Sequence, residues 1–500
     1  MGFFNFWKPT DNDTKIQLLE ADLFREQERS KDLQDRLREE INKPEKMNWI
    51  QWVTIIVIVL EFFIILKQTY QLDYQNQLVE NQNKLVKNQN NRVDQQVYLE
   101  EASRRNNLVF LMDNILQSVS KEVQDTTTNL LSKPLMGRIQ ALAQGFQPYQ
   151  FLEGDTLSRP LSPERGQFLL ALANSGMDTL ALDKIYFKTN LSYAYLNGVI
   201  MKNLYLRYAK LRYADLRYAD LKEADLRNTY LKEADLRYAD LKEADLRYAK
   251  LGFVDLSHAN LEDANLKDIY LKEADLREAN LQNTDLRDAN LQNADLEKAN
   301  LSKSNLNNAI LNNANLSFAI LKNADLRNAN LEKANLKDAK ILNCDLSNTN
   351  LSNANLVSIK LREVTINNTD LSNVNLKDAN LSTVNLSTVN LNSADLRYVN
   401  LKEANLQNAD LRHTNLSNAM LNNADLSFAN LKNADLRNAN FSFANLKNTD
   451  LEYAKVNEKW LDRLEGWRIK GLENVKFKYI LSKKAKYDDF GIYYIVIANK

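Results

Sequence analysis

From residue 191 to residue 456, an apolar side chain returns at every fifth position without a gap. Of these 54 positions, 49 are leucine, and the others are Met201, Ile341, Ile366, Phe441 and Val456. A step of five turns an α-helix by about 500°, so these residues would share no helical face. In a strand, an odd step sends alternate side chains to opposite faces. The period of five therefore requires a chain that turns a corner with each unit.

The repeating unit reads A-(D/N)-L-x-x, with a small residue two positions before the leucine and an acidic or amide residue directly before it. If each unit turns the chain by about 90°, four units of 20 residues close one coil, and successive coils stack about 4.8 Å apart. The repeats then form about 13 coils around a leucine-filled column, in which each coil contacts only its neighbours.

This run resembles the pentapeptide-repeat family, whose consensus A-(D/N)-L-x-x it matches almost unit by unit. The resemblance implies an all-β solenoid, a right-handed quadrilateral β-helix. Glycine is scarce in the repeats, where it occurs only at Gly198 and Gly252. Asparagine, which tolerates left-handed backbone, fills many outward positions beside the corners.

The chain before the repeats has a different composition, and it predicts an α-helical region. Residues 1–46 are highly charged and predict a helical, coiled-coil-like segment. Residues 47–67 predict one transmembrane helix. Residues 68–132 predict a helical stalk, and residues 133–190 predict a helical region in which Pro163 begins a helix with Ser162 as its N-cap.

The predicted membrane span is the apolar run Trp49–Leu66, with Trp49 and Trp52 at one interface. Glu61 lies within it, and a charge at that depth costs a few kcal/mol unless it is paired or protonated. Glu61 therefore suits a helix–helix contact in a homo-oligomer. The alternative is a helix buried in a soluble domain, for which the polar flanks offer no apolar partner.

The membrane orientation follows from the flanking cations. Lysine and arginine are more frequent before the span than after it, which predicts a cytoplasmic N-terminus in a single-pass protein and an exported solenoid. The frequent cytoplasmic location of the resembled family argues the other way, so the side of the solenoid stays open. The stretch before the repeats also resembles one found in bacterial membrane-associated pentapeptide proteins.

After the repeats, residues 457–500 predict a short helix and a β-hairpin. We expect them to form a C-terminal cap, because the open end of a solenoid exposes unpaired backbone and leucine side chains.

Little in the sequence points to chemistry. The net charge is zero, with 65 basic and 65 acidic residues, which argues against direct nucleic-acid binding. His258 and His413 lie far apart on the outside of the predicted coils, and Cys344 replaces an inward alanine. No nucleotide-binding glycine motif is present. We therefore predict no catalytic residue, no metal site and no cofactor.

Outward tyrosines beside arginine and lysine form a candidate partner surface, because both residue types are favoured at binding hot spots. They are Tyr208, Tyr213, Tyr218, Tyr238 and Tyr248. These tyrosines fall on three of the four faces, so ordinary surface packing is the alternative.

The function that the sequence predicts is a non-catalytic, membrane-anchored scaffold that binds an unknown protein partner. One alternative is a regulator of a DNA-handling enzyme, because some members of the resembled family protect DNA gyrase by imitating DNA. That role needs a strongly negative rod, whereas the repeats carry a net charge of about −1, with 33 basic and 34 acidic residues. Another alternative is the regulatory domain of an oligomeric membrane channel.

Overall fold

The computed structural model describes residues 11–42, 49–125, 131–153, 156–458, 460–471, 475, 479–482, 486–488 and 491–498. The chain divides into two compact units, Met1–Asn107 and Leu108–Lys500.

Two helices build the first unit. Helix α1 spans Asp11–Ile41, and helix α2 spans Trp49–Asp125 and continues into the second unit. Residues 22–29 of α1 and 68–75 of α2 line one cavity, so α1 lies alongside α2. Leu33 and Ile58 are both buried, whereas most of the apolar side chains around Ile58 are exposed.

The apolar run lies near the start of α2. By length and composition, Trp52–Lys87 is the one candidate membrane span among the described residues, and 6% of its most apolar window is buried. Trp52, Glu61 and Leu66 are exposed, and the side chain of Trp49 lies outside the described residues. The predicted helix is thus present, with an exposed apolar surface.

The second unit begins with helices that pack together. Helix α3 spans Lys133–Gly145, α4 spans Pro163–Ala173 and α5 spans Thr179–Lys188, and a small antiparallel pair, β1 (Leu152–Glu153) and β2 (Thr156–Leu157), lies between α3 and α4. Ser162 caps α4 by accepting a hydrogen bond from the amide of Arg165, which confirms the predicted helix start.

This helical region covers the first coil of repeats. The amide of Ser162 donates to the carbonyl of Tyr193 at 2.7 Å, and the Ser162 carbonyl accepts from the amide of Tyr195 at 3.1 Å. A Cβ atom on Gly166 would lie 2.2 Å from the Tyr195 carbonyl oxygen, so only glycine permits this approach. One side of the open backbone edge of the first coil is therefore paired, at Tyr193 and Tyr195.

The repeats form a solenoid with four sides per coil. Parallel bridges join residues 20 apart, from Tyr195↔Asp215 to Asp435↔Lys455. The residues at every fifth position from Leu191 to Val456 are buried, and so are nearly all of the small residues two positions before them. Cys344 is buried as predicted. The repeat period is thus the period of a stacked β-helix.

Each corner is a tight turn that requires a left-handed residue. In a typical unit, the Ala289 amide donates to the Leu286 carbonyl at 3.1 Å, and Asp288 has a φ of 58°. The same position has a positive φ throughout the repeats. This conformation costs L-residues about 1–2 kcal/mol, and the cost is smaller for asparagine than for most residues. This cost explains the abundance of asparagine at the corners.

The backbone ladder between coils is interrupted at one place. Strands β3 (Lys340–Leu342) and β4 (Lys360–Arg362) pair in parallel beside a corner column that holds Cys344, Val364 and Val384 instead of alanine. Within the described solenoid, the amides of Ile366, Asn368 and Asn385 form none of the usual backbone bonds to an adjacent coil. We attribute this gap to two valines stacked in successive coils, because a single valine at the same position, such as Val254, leaves the bonds in place.

A mixed cap closes the other end. Strand β5 (Lys455–Val456) ends the repeats and is followed by helix α6 (Trp460–Gly466) and strands β6 (Tyr479–Leu481), β7 (Lys486–Asp488) and β8 (Gly491–Ala498). Strand β8 pairs antiparallel with β5, β6 and β7. Because β8 pairs with the last repeat, it covers the backbone edge there.

The ladder gap yields a stability prediction. The double change Val364→Ala and Val384→Ala should restore the bonds between these coils, so hydrogen exchange at Ile366 and Asn385 should slow. The free energy of unfolding should fall little, because the gained bonds offset the lost apolar burial.

The matched control is Val254→Ala in an intact corner, which we expect to cost about 2 kcal/mol. If the double variant loses about twice as much as the control, and exchange at Ile366 is unchanged, valine crowding does not cause the gap.

Candidate interaction surface

The outward residues of each unit occupy three positions, named here relative to the inward residue. The preceding position comes directly before it, and the first and second turn positions come directly after it. In the unit of Leu276 these are Asp275, Arg277 and Glu278. Residues 20 apart occupy the same position in adjacent coils and form a column along the solenoid.

The preceding residue explains why the repeat prefers aspartate and asparagine. The Asp275 carboxylate accepts the backbone amide of Arg277 at 3.0 Å, and the same contact recurs with asparagine, as from Lys267 to Asn265 at 3.2 Å. This side-chain-to-backbone bond mimics a turn and fixes the path into the corner. Most units contain it.

Where aspartate precedes and arginine follows, the two side chains also pair. Arg277 donates from Nε to Asp275 Oδ1 at 2.9 Å and from Nη2 to Oδ2 at 2.5 Å. We call this pair the Asp–Arg clasp. It recurs in Asp215–Arg217, Asp225–Arg227, Asp235–Arg237, Asp245–Arg247, Asp285–Arg287, Asp325–Arg327, Asp395–Arg397, Asp410–Arg412 and Asp435–Arg437.

The clasp changes the acidity of its carboxylate. Hydrogen bonding from Arg287 lowers the pKa of Asp285, and the equivalent arginines lower the pKa of Asp325 and of Asp410. Each clasp thus neutralises its own charges on the surface, and most of the solenoid presents no strong field of either sign.

One face departs from this rule in four successive coils. Its preceding positions hold Lys210, Tyr230, Lys250 and Tyr270, none of which carries the carboxylate or amide oxygen that accepts the turn amide. The first turn positions of the same face hold Arg212, Lys232, Gly252 and Lys272. This face therefore lacks both the turn bond and the clasp.

A shallow groove of about 260 Å³ lies on this face, and we call it the basic–aromatic groove. Its cations are Arg212, Lys232 and Lys250, and its rings are Tyr230, Phe253 and Tyr270, with Gly252 between them. A Cβ atom on Gly252 would lie 2.9 Å from Tyr270 Cε1, so glycine lets this ring lie close to the coil.

The groove cations contact rings more than carboxylates. Lys250 Nζ lies 4.9 Å from the centre of the Tyr230 ring, and Lys232 Nζ lies 5.1 Å from that of Phe253. Lys232 also pairs with Glu233 at 3.3 Å. In the described part of the solenoid, Arg212 and Lys250 form no ion pair. The groove is therefore a local excess of positive charge beside aromatic rings.

The predicted tyrosines occupy second turn positions, all with left-handed backbone. Tyr208 and Tyr248 lie in the corner column on one side of the groove face, and Tyr213 lies in the corner column on its other side. Tyr218 and Tyr238 lie in the next column, where their rings stack 5.1 Å apart. The structure therefore does not gather all five tyrosines on one face.

The histidines and the cysteine lie apart from the groove. His258 stacks on Tyr238 at 4.7 Å and contacts Glu278, whereas His413 is a distant surface residue. Among the described residues, no group of histidine, cysteine, aspartate or glutamate side chains could hold a metal ion. Burial raises the pKa of the Cys344 thiol, which suits a core residue.

Sequence reasoning missed Lys210, Tyr230, Lys250 and Tyr270. The signal was available, because writing the repeats in rows of 20 places these residues in one column where aspartate or asparagine is usual. The groove between them depends on how the side chains lie, which the pattern does not give.

The repeats match two family models. One, described as "Pentapeptide repeat region", matches residues 315–391. The other, described as "Pentapeptide repeats (8 copies)", matches residues 189–228, 224–263, 255–293, 264–302, 289–328, 390–427, 400–438 and 424–457. Together they cover more than half of the chain. The chain belongs to the pentapeptide-repeat family.

Solved structures of other pentapeptide repeat proteins are also similar. HetL from Nostoc sp. strain PCC 7120, involved in heterocyst differentiation regulation, is 30% identical, with 54% of this chain and 92% of that chain covered and a TM-score of 0.16. QnrB1, a plasmid-mediated fluoroquinolone resistance protein, is 19% identical, with 40% and 95% covered and a TM-score of 0.19. Rfr23 from Cyanothece 51142 is 35% identical, with 22% and 62% covered and a TM-score of 0.09.

No match to a curated protein is significant.

The clasps yield a pH prediction. A carboxylate whose folded pKa is lowered stabilises the fold above its unfolded pKa of about 3.9, and this contribution is lost as the pH falls through the folded value. The thermal midpoint should therefore change little between pH 7 and pH 5 on account of the clasps, and should fall below about pH 4.

The control is the triple change Asp285→Asn, Asp325→Asn and Asp410→Asn, which keeps the turn acceptor and removes the charge. Its midpoint at pH 7 should be lower than that of the native chain, and the two midpoints should converge at acid pH. A constant difference across the pH range would show that the clasps carry no pH-dependent stability.

Proposed function

We propose that this protein is a non-catalytic, membrane-anchored scaffold whose solenoid, a rigid rod of about 13 coils, binds a protein partner. The observation that carries the proposal is the set of tyrosines at left-handed corners: Tyr208, Tyr213, Tyr218, Tyr238 and Tyr248. Left-handed backbone is less unfavourable for asparagine than for tyrosine, and asparagine occupies many equivalent corners. Large aromatic side chains kept at such corners are suited to recognition.

The membrane part of the proposal rests on exposed apolar surface. Trp52 is 55% exposed, Leu60 57% and Phe63 63%. A continuous apolar surface of this kind is unfavourable in water and is the surface that a bilayer covers. Glu61 is also exposed, and it would favour a contact with a second copy of α2 at membrane depth.

Membrane insertion requires helix α1 to leave α2. Helix α1 is rich in carboxylates and guanidinium groups, such as Asp22, Arg25 and Arg29, and these residues line a cavity with residues 68–75 of α2, directly after the apolar run. Each such charge costs several kcal/mol inside hydrocarbon. The proposal therefore includes a separation of α1 from α2, after which α1 stays in the aqueous phase.

Alkaline extraction tests the membrane anchor. The native chain should stay in the membrane pellet, and the double change Ile56→Asp and Leu60→Asp should release it, because two carboxylates would enter the span. The matched control, Leu78→Asp and Leu85→Asp, changes exposed leucines that follow the apolar run Trp49–Leu66 and should not release the chain. Extraction of the native chain by alkali would contradict the anchor.

Cross-linking in intact cells tests the scaffold. We expect proteins that cross-link to the native chain to be lost when the five tyrosines are replaced by asparagine. Because asparagine suits the left-handed corners, the variant should keep its thermal midpoint, and loss of binding would not reflect unfolding. Unchanged cross-linking by a folded variant would remove the tyrosines from the partner surface.

A further inference from the structure

In the basic–aromatic groove, the repeats lack stabilising contacts that most other units form. Tyr230 and Lys250 take preceding positions that elsewhere accept a turn amide and hold a clasp. Loss of such a hydrogen bond destabilises the turn. Two further preceding positions of the same column, Lys210 and Tyr270, share this loss, so the departure is concentrated in adjacent coils.

From this groove we infer a binding site for an extended, carboxylate-rich segment of a partner protein. The inference rests on the proposed scaffold function and names the chemistry of the partner. Within the described solenoid, Arg212 and Lys250 form no ion pair with a carboxylate, and Lys232 forms one only with Glu233. Carboxylates on a partner would complete these pairs with charge-assisted hydrogen bonds.

The spacing of the cations suits an extended peptide. Adjacent coils lie about 4.8 Å apart, and carboxylates at alternate positions of an extended chain are about 6.8 Å apart. Flexible lysine and arginine side chains can bridge this difference, since their charged groups move on several rotatable bonds. Alternate carboxylates can therefore meet Lys232 and Lys250 together.

The aromatic rings of the groove favour apolar residues between the carboxylates of the partner segment. Phe253 and Tyr270 are 47% and 42% exposed, and the Tyr270 ring lies against the buried Gly252. A ring or an aliphatic side chain of the partner can pack against the exposed parts of these two rings. The expected segment therefore alternates acidic and apolar residues.

The charges beside the groove favour a peptide over a nucleic acid. Glu233 and Glu273 occupy the corner column that also holds Phe253, and Asp268 occupies the opposite corner column. These carboxylates would repel a continuous row of phosphates, whereas a peptide with separated carboxylates can avoid them. The groove also spans only a few coils, which leaves few cations for a nucleic-acid backbone.

The experiment measures binding to the full-length protein in detergent by fluorescence anisotropy. The probe is a fluorescein-labelled peptide, Gly-Glu-Phe-Glu-Leu-Glu-Gly, and its twin carries glutamine in place of glutamate. We expect the twin to bind at least tenfold more weakly. We expect the same loss when Lys232→Gln and Lys250→Gln are combined in the protein.

The matched control is Lys340→Gln with Lys360→Gln. Both lysines occupy preceding positions, are exposed and lie outside the groove. The control should bind the probe as the native chain does. Equal binding of the two peptides, or equal binding by the groove variant and the native chain, would overturn the inference. Groove-dependent binding of a 12-nucleotide single strand that exceeds that of the peptide would overturn it in favour of a nucleic acid.

The same variants separate failure of the inference from failure of the scaffold. If the groove variant keeps every in-cell cross-link that the tyrosine variant loses, the scaffold stands and the groove is not its contact. If neither variant changes cross-linking, and the peptide still binds in a groove-dependent way, the groove binds an acidic segment outside the proposed tyrosine surface.

Discussion

The inward leucine at every fifth position is the constraint on which the solenoid depends. To bring each leucine inside, the chain must turn after each unit, and the turn places its second residue in left-handed backbone. The turn also leaves an amide that the preceding aspartate or asparagine accepts, as Asn265 does for Lys267. Corner asparagine, preceding aspartate or asparagine and inward alanine are thus consequences of one packing requirement.

Stacking in steps of 20 residues turns this local rule into columns with uniform chemistry. Asn300 donates to Asn280 at 3.1 Å, and Asn280 donates to Asn260 at 3.1 Å. The rings of Tyr218, Tyr238 and His258 stack in the same way. Because most columns hold similar side chains in adjacent coils, these side chains form hydrogen bonds or stacking contacts with one another. A column without these contacts leaves charged and aromatic side chains available to a binding partner.

The sequence was sufficient for the repeat, because its period, inward residues and corner all follow from one spacing. It also predicted the N-cap Ser162 and the buried Cys344, which depend on neighbouring residues only. It did not predict the ladder gap beside Val364, because crowding depends on how adjacent coils relax. The packing of α1 against α2 was missed for another reason, since it brings together segments without a shared pattern. The groove depends on the side-chain positions of Lys250 and Tyr270.

Two local costs coincide in the first coils of the solenoid. Tyr213 and Tyr248 place a bulky side chain on a residue with left-handed backbone, which is unfavourable. Tyr230 and Lys250 lack the oxygen that accepts the turn amide in other units. Later coils avoid most of these costs with asparagine at the equivalent positions, such as Asn290 and Asn330 in the groove column. Stability alone would favour asparagine throughout, since the backbone there is the same. These tyrosine and lysine residues are therefore best explained by binding to a partner, and we expect that partner to contact the first coils of the solenoid.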